Sequence, residues 1–194
     1  MRGYFGIGVE RVSKAMNVGG LFRTAHAFGA SFVFSIAAAY DRHEGKLADT
    51  SDAARTLPLY EFDEARALAL PRDCALVAVE ITEDAAELPS FRHPRCAAYV
   101  FGAERGGLTP ELLDLADHTV KIPTRFSVNL AVAGALVMYD RLLSSNKFAH
   151  RPLIPGGPPE PIKPHEFGEP IWTKKERRRA AAGKKKEKES VKDT

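Results

Sequence analysis

Residues 96–116 read CAAYVFGAERGGLTPELLDLA. The opening residues, CAAYVF, suit a buried β-strand. Gly102, Gly106 and Gly107 then surround Glu104 and Arg105 in a loop whose backbone can come close to a neighbour and take positive φ. Thr109, Pro110 and Glu111 carry helix-start chemistry: an N-cap hydroxyl, a proline at the first helical position and an acid in the first turn. Strand, glycine-rich loop and capped helix follow one another without a gap, as in a βα unit of a parallel sheet.

The same alternation extends outward on both sides. Upstream, YFGIGV (4–9) and SFVFSIA (31–37) read as strands, with a helix over 17–30 between them and Gly29 at its C-terminal cap. Residues 41–56 are polar and loop-like. TLPLYEF (56–62) is a short strand, a helix is expected around 63–69, and CALVAVEI (74–81) is a buried strand. Downstream, HTVKIP (118–123) is a strand and NLAVAGALVMYDRLLSSN (129–146) a long apolar helix. The pattern predicts an α/β fold, a mainly parallel sheet flanked by helices, over residues 1–150. From Arg151 to Pro170, seven residues in twenty are proline, so 151–173 reads as a linker. Residues 174–194 form a basic tail, expected to be disordered.

Bulk properties narrow the class. Apolar residues are 44% and charged residues 27% of the 194, ordinary for a globular protein. No apolar run approaches the ~20 residues that span a bilayer. Glu10 comes too early for a signal peptide, and a cytoplasmic protein is expected. Cys74 and Cys96 form no CxxC pair and the histidines are scattered, so no metal site is expected. The net charge of +3 is uneven: Lys174–Thr194 holds ten basic and four acidic residues (+6), leaving −3 for the rest. A concentrated basic segment suits a polyanion such as RNA, and equally suits a solvated tail.

In such a sheet, ligands bind beyond the carboxyl ends of the strands. Three loops qualify: the one leading to Asn17, the loop 101–111, and IPTRFSVN (122–129). No GxGxxG follows the first strand and no GxxxxGK[ST] occurs, which disfavours a dinucleotide or triphosphate site. Ser127 or Asn129 could each serve as an N-cap, but a cap needs only one of them. The helix after them is apolar on nearly every side, as if buried against two surfaces. The helix over 17–30 raises its own question. Gly19 and Gly20 each weaken it by roughly 1 kcal/mol relative to alanine, and Arg23 lies among apolar residues. On helix geometry alone Arg23 reads as a surface arginine paired with a carboxylate, and His26 as a half-buried structural histidine.

The three loops together resemble the SpoU/TrmH-type RNA ribose 2′-O-methyltransferases of the SPOUT superfamily. The first motif of that family is matched by Asn17, Gly19, Arg23 and Thr24, the second by VFGAERGGLTPELL, and the third by IPTRFSVNLAVAGALVMYDR. They occur in order across residues 17–141. The loop between Ile122 and Ser127 is shorter than is common in the family, and Ala131 stands where a second serine is usual. The resemblance implies a C-terminal deep trefoil knot, a homodimer joined through the 129–146 helix, and S-adenosylmethionine as cofactor. It implies cofactor contacts at Val79, Gly102, Gly107, Ile122 and Val128, many of them to backbone. It implies catalytic roles for Arg23, Asn17, Glu104, Ser127 and Asn129, and RNA contacts at Arg23, Thr24 and Arg105. Lys174, Lys175, Arg177, Arg178 and Arg179 would add phosphate contacts from the tail, and transfer RNA is favoured over ribosomal RNA. A guanidinium is a donor only, so Arg23 suits phosphate binding and stabilisation of charge on the ribose oxygen better than proton abstraction. Gly20 is expected to clear space beside Arg23 for RNA backbone. The competing readings are a non-catalytic RNA-binding protein of the same fold, a SPOUT enzyme that methylates a base, and a small-molecule nucleotide binder.

Overall fold

The computed structural model describes residues 3–39, 56–145, 148, 151–152 and 154–159. The loop read over 41–56, apart from Thr56, and the tail residues Lys174, Lys175, Arg177, Arg178 and Arg179 lie outside the described residues. By its contacts the chain divides into Met1–Lys147 and Phe148–Thr194, and the first unit holds the sheet. Its elements are β1 (Tyr4–Glu10), α1 (Ala15–Ala27), β2 (Phe32–Ile36), β3 (Leu59–Phe62), β4 (Ala75–Val79), β5 (Ala86–Glu87), β6 (Cys96–Phe101), α2 (Pro110–Leu115), β7 (His118–Lys121) and α3 (Leu130–Ser144). The seven strands are parallel in the order β3-β2-β1-β6-β4-β7-β5. The direction of winding switches between β1 and β6, and a crevice opens at the carboxyl ends of strands at such a point.

Alternation along the central strands builds two cores. Phe5, Ile7, Val9 and Tyr99 face one side, where α1 and α3 cover them with Val18, Leu21, Val137 and Met138. Phe34, Ile36, Leu76, Ala98 and Val100 face the other, against Leu112 of α2. Gly6 and Gly8 also face that second side, and a side chain on either would overlap the ring of Phe32 or Phe34 from the neighbouring strand. The β1 glycines thus make room for aromatic side chains of β2.

Two local expectations change. The helix expected around 63–69 is a single 3-10 turn, Ala65–Ala67. Leu70 precedes Pro71, which disfavours helical backbone there, and one turn suffices to bury Ala65. Strand β5 escapes a sequence reading because two residues are too few to show alternation.

Gly20 is half-buried beside the crossing of α1 and α3: a Cβ built on it would meet the Ala131 Cβ of α3 at 3.5 Å, an ordinary contact. The glycine that the crossing requires is Gly134 of α3, where a side chain would collide with Leu21, itself fully buried. Helix α3 buries Leu130, Gly134, Val137 and Met138 against the rest of the chain and leaves Val132, Leu136 and Tyr139 exposed.

The amino end of the sheet holds a saturated polar cluster. Arg141 of α3 donates to the carbonyls of Pro94 (2.6 Å), Arg95 (2.8 Å) and Tyr4 (3.1 Å), and to the Tyr99 hydroxyl (3.0 Å). The His93 ring lies 2.6 Å from the Tyr99 oxygen through Nδ1 and 3.0 Å from Asp140 through Nε2. The pattern closes if Nε2–H donates to Asp140 and Nδ1 accepts from the Tyr99 hydroxyl. Burial holds His93 below the usual histidine range, against the pull of Asp140, and pushes Tyr99 up to about 12. Cys74 and Cys96 are free and half-buried.

Candidate active site

At the opposite end of the sheet, the loop after β6 folds on itself. Ala103 and Gly107 form an antiparallel bridge, with the Gly107 N–H donating to the Ala103 carbonyl at 3.1 Å. Gly106 and Gly107 take φ of 103° and 65°, and a side chain on Gly102 would overlap the Gly107 backbone. Two carboxylates pin this loop. Glu80, just past β4, accepts from the Leu108 N–H at 2.8 Å and from its neighbour Ile81 at 2.9 Å. Glu10, the last residue of β1, is 2% exposed and accepts from the N–H (2.7 Å) and hydroxyl (2.6 Å) of Thr109. That hydroxyl in turn caps α2 by accepting from Leu112. The sequence reading missed both acids. The available signal was a shared ending, Val-Glu, closing two apolar strands that need no charge of their own.

The loop forms one wall of a cleft of about 350 Å³. All five residues expected to contact a cofactor, Val79, Gly102, Gly107, Ile122 and Val128, border it. Phe101 and Leu130 add apolar surface, and Glu80, Glu104, Ser127 and Asn129 add polar groups.

A polar joint ties the three motif loops together. The Asn17 side-chain amide donates to Glu104 Oε1, and Asn129 Nδ2 donates to Asn17 Oδ1 at 3.2 Å. Lys14 lies 3.7 Å from the same Glu104 oxygen. Asn129 also caps α3, accepting from the Ala131 N–H at 2.9 Å. One residue therefore performs both tasks that the sequence left divided between Ser127 and Asn129. Ser127 lies on the cleft wall, outside this network. The remaining expected residues stand farther out. Arg23 is exposed on α1 and Arg105 on the glycine loop, and neither lines the cleft. The Thr24 hydroxyl is committed to the Gly20 carbonyl at 2.7 Å.

Residues 5–139 match the model of the SpoU rRNA methylase family, more than two thirds of the chain. The chain belongs to that family. Among curated proteins, this SpoU member is 30% identical over 139 residues to the mouse (Mus musculus) tRNA (guanosine(18)-2′-O)-methyltransferase TARBP1, covering 66% of this chain and 9% of that protein. It is 26% identical over 137 residues to the Escherichia coli K12 tRNA (guanosine(18)-2′-O)-methyltransferase, covering 68% of this chain and 60% of that one. The matched region thus spans less than two thirds of each of these relatives. Among solved structures, the SpoU methyltransferase AviRb from Streptomyces viridochromogenes, determined with AdoMet, superposes with a TM-score of 0.65 at 22% identity, covering 76% of this chain and 60% of that one. A structure described as giving insight into 2-OH methylation of C/U34 on tRNA superposes with a TM-score of 0.65 at 26% identity, covering 74% of this chain and 97% of that one. These likenesses extend the SpoU assignment to the parallel sheet and its flanking helices.

Proposed function

We propose that this chain transfers the methyl group of S-adenosylmethionine to a ribose 2′-hydroxyl of RNA, with transfer RNA as the favoured substrate. The observation that carries the reading is the joint Asn17–Glu104–Asn129, which draws the three motif loops together beside a cleft with glycine walls. The residues present fit the cofactor. The cleft volume lies in the range of small-ligand sites. Gly102 and Gly107 present backbone rather than side chains, and Val79, Ile122 and Val128 supply an apolar surround for a nucleoside. When bound, the sulfonium of the cofactor supplies an activated methyl group. The chain's own task is then to hold the ribose oxygen in line and to ease its loss of a proton. Asn17, fixed by Glu104 on one side and Asn129 on the other, is held at the cleft mouth in a single orientation. Arg23, exposed on α1, binds the phosphate beside the target ribose and stabilises charge developing on its 2′-oxygen.

The protein acts as a homodimer. Val132, Leu136 and Tyr139 of α3 are exposed beside Phe28 of α1, an apolar strip suited to a second copy. Leu136→Asp should convert the dimer to monomer in sedimentation. The activity test combines calorimetric titration of S-adenosylmethionine with methyl transfer to transfer RNA. Nuclease-resistant 2′-O-methylated dinucleotides in the digest are expected. No cofactor binding at millimolar concentration would favour a non-catalytic RNA-binding protein, and methylated bases in the digest would favour a base methyltransferase. Deleting residues 171–194 should weaken RNA binding in a salt-dependent manner and leave cofactor binding intact, because Lys and Arg there would meet phosphates.

A further inference from the structure

Phe126 is 78% exposed, the most exposed large apolar side chain among the described residues. It stands in the loop 122–129, whose Ile122, Thr124, Ser127 and Val128 border the cleft, while Phe126 is not itself part of the lining. The loop around it is braced. The Thr124 hydroxyl donates to the Phe126 carbonyl at 2.9 Å, and the Thr124 N–H donates to the Ile122 carbonyl at 2.8 Å. These bonds shape the loop backbone that presents the ring to solvent. Arg125 precedes it and is exposed, and Arg105 is exposed on the glycine loop that walls the same cleft, while Lys14 lies 3.7 Å from Glu104. An exposed aromatic ring beside an exposed arginine matches the chemistry of an unpaired nucleobase and its phosphate.

We propose that Phe126 is a stacking platform for an unpaired base of the RNA substrate, next to the nucleotide whose ribose enters the cleft. The proposal rests on the RNA-methyltransferase reading and adds one residue to it, the side chain that would hold an unpaired base beside the target ribose. The exposed Arg125 beside the ring favours RNA over a second copy of the chain, which would bring the same arginine against it. The strip Val132–Leu136–Tyr139, a continuous apolar surface with Phe28, suits the second copy better.

The test uses the full chain and two probes of equal length, oligouridylate and an abasic ribose-phosphate oligomer, with sedimentation in parallel. Phe126→Ala should lower affinity for oligouridylate by about tenfold or more, as loss of one stacked base does. It should leave affinity for the abasic oligomer, cofactor affinity and oligomeric state unchanged. Phe126→Tyr should retain the oligouridylate affinity, because a ring is retained, and Phe126→Leu should not. Equal loss on both oligomers, or none on either, overturns the stacking role. A shift of Phe126→Ala to a smaller species assigns the ring to an interface between copies and also overturns it. Failure of methyl transfer by the unmodified protein would instead count against the activity, while the two oligomers still report on stacking.

Discussion

The two ends of the sheet each carry a polar network, and the two are built on opposite principles. At the amino end, His93, Tyr99, Asp140 and Arg141 bond almost wholly to one another and to backbone carbonyls, with the His93 side chain 3% exposed. At the carboxyl end, Asn17, Glu104 and Asn129 are short side chains joined in a line at the mouth of a cleft, and Glu104 and Asn129 are exposed. A closed network fixes α3 against the strand β6. An open one keeps polar groups oriented yet accessible, as a site requires. Helix α3 belongs to both, with Asn129 as its cap and Arg141 in its last turn.

This division can be broken deliberately. Arg141→Met should cost about 3 kcal/mol of stability, because three carbonyls and a tyrosine oxygen lose their donor together. The urea midpoint measures it, and cofactor affinity of the folded protein should not change. Arg23→Ala should do the reverse: turnover falls roughly 100-fold, as for loss of one charge-stabilising donor, with stability and cofactor affinity intact. A variant that keeps the wild-type rate would remove Arg23 from the chemistry. Asn17→Ala should reduce turnover by about tenfold, the scale of one net hydrogen bond, with a near-normal melting temperature. If it instead melts like Arg141→Met, the open network is a structural brace.

The smallest effect concerns pH. Burial lowers the His93 pKa in the folded protein, so the unfolded chain binds the proton more readily. Stability should therefore decline as pH falls below about 6.5, the unfolded value, until the lower folded value is passed. His93→Gln should flatten that decline, and a slope unchanged by the substitution would show that other groups set it.

Much of this was legible in the sequence. The buried parallel strands announce themselves as apolar runs, and α2 and α3 begin at Thr109 and Asn129, whose side chains make the bonds a cap makes. The cleft-lining residues Val79, Gly102, Gly107, Ile122 and Val128 were reachable through the family resemblance, which rests on three motifs taken together. What stayed hidden depends on distant partners. Glu10 meets Thr109 and Glu80 meets Leu108, and nothing local to either acid reveals the meeting. Gly20 invited a functional explanation, and its neighbour Ala131 comes from another helix. The turn at Ala65–Ala67 failed to become a helix because Pro71 ends the segment early.

The two pinning carboxylates have an effect on charge selection. The N–H groups of Leu108 and Thr109, at the entrance to α2, are the type of donor pair that elsewhere in α/β proteins receives a phosphate. Here Glu80 and Glu10 already occupy them. Of these four residues Glu80 alone borders the cleft, so an arriving phosphate would meet an acid there rather than an open pair of backbone donors.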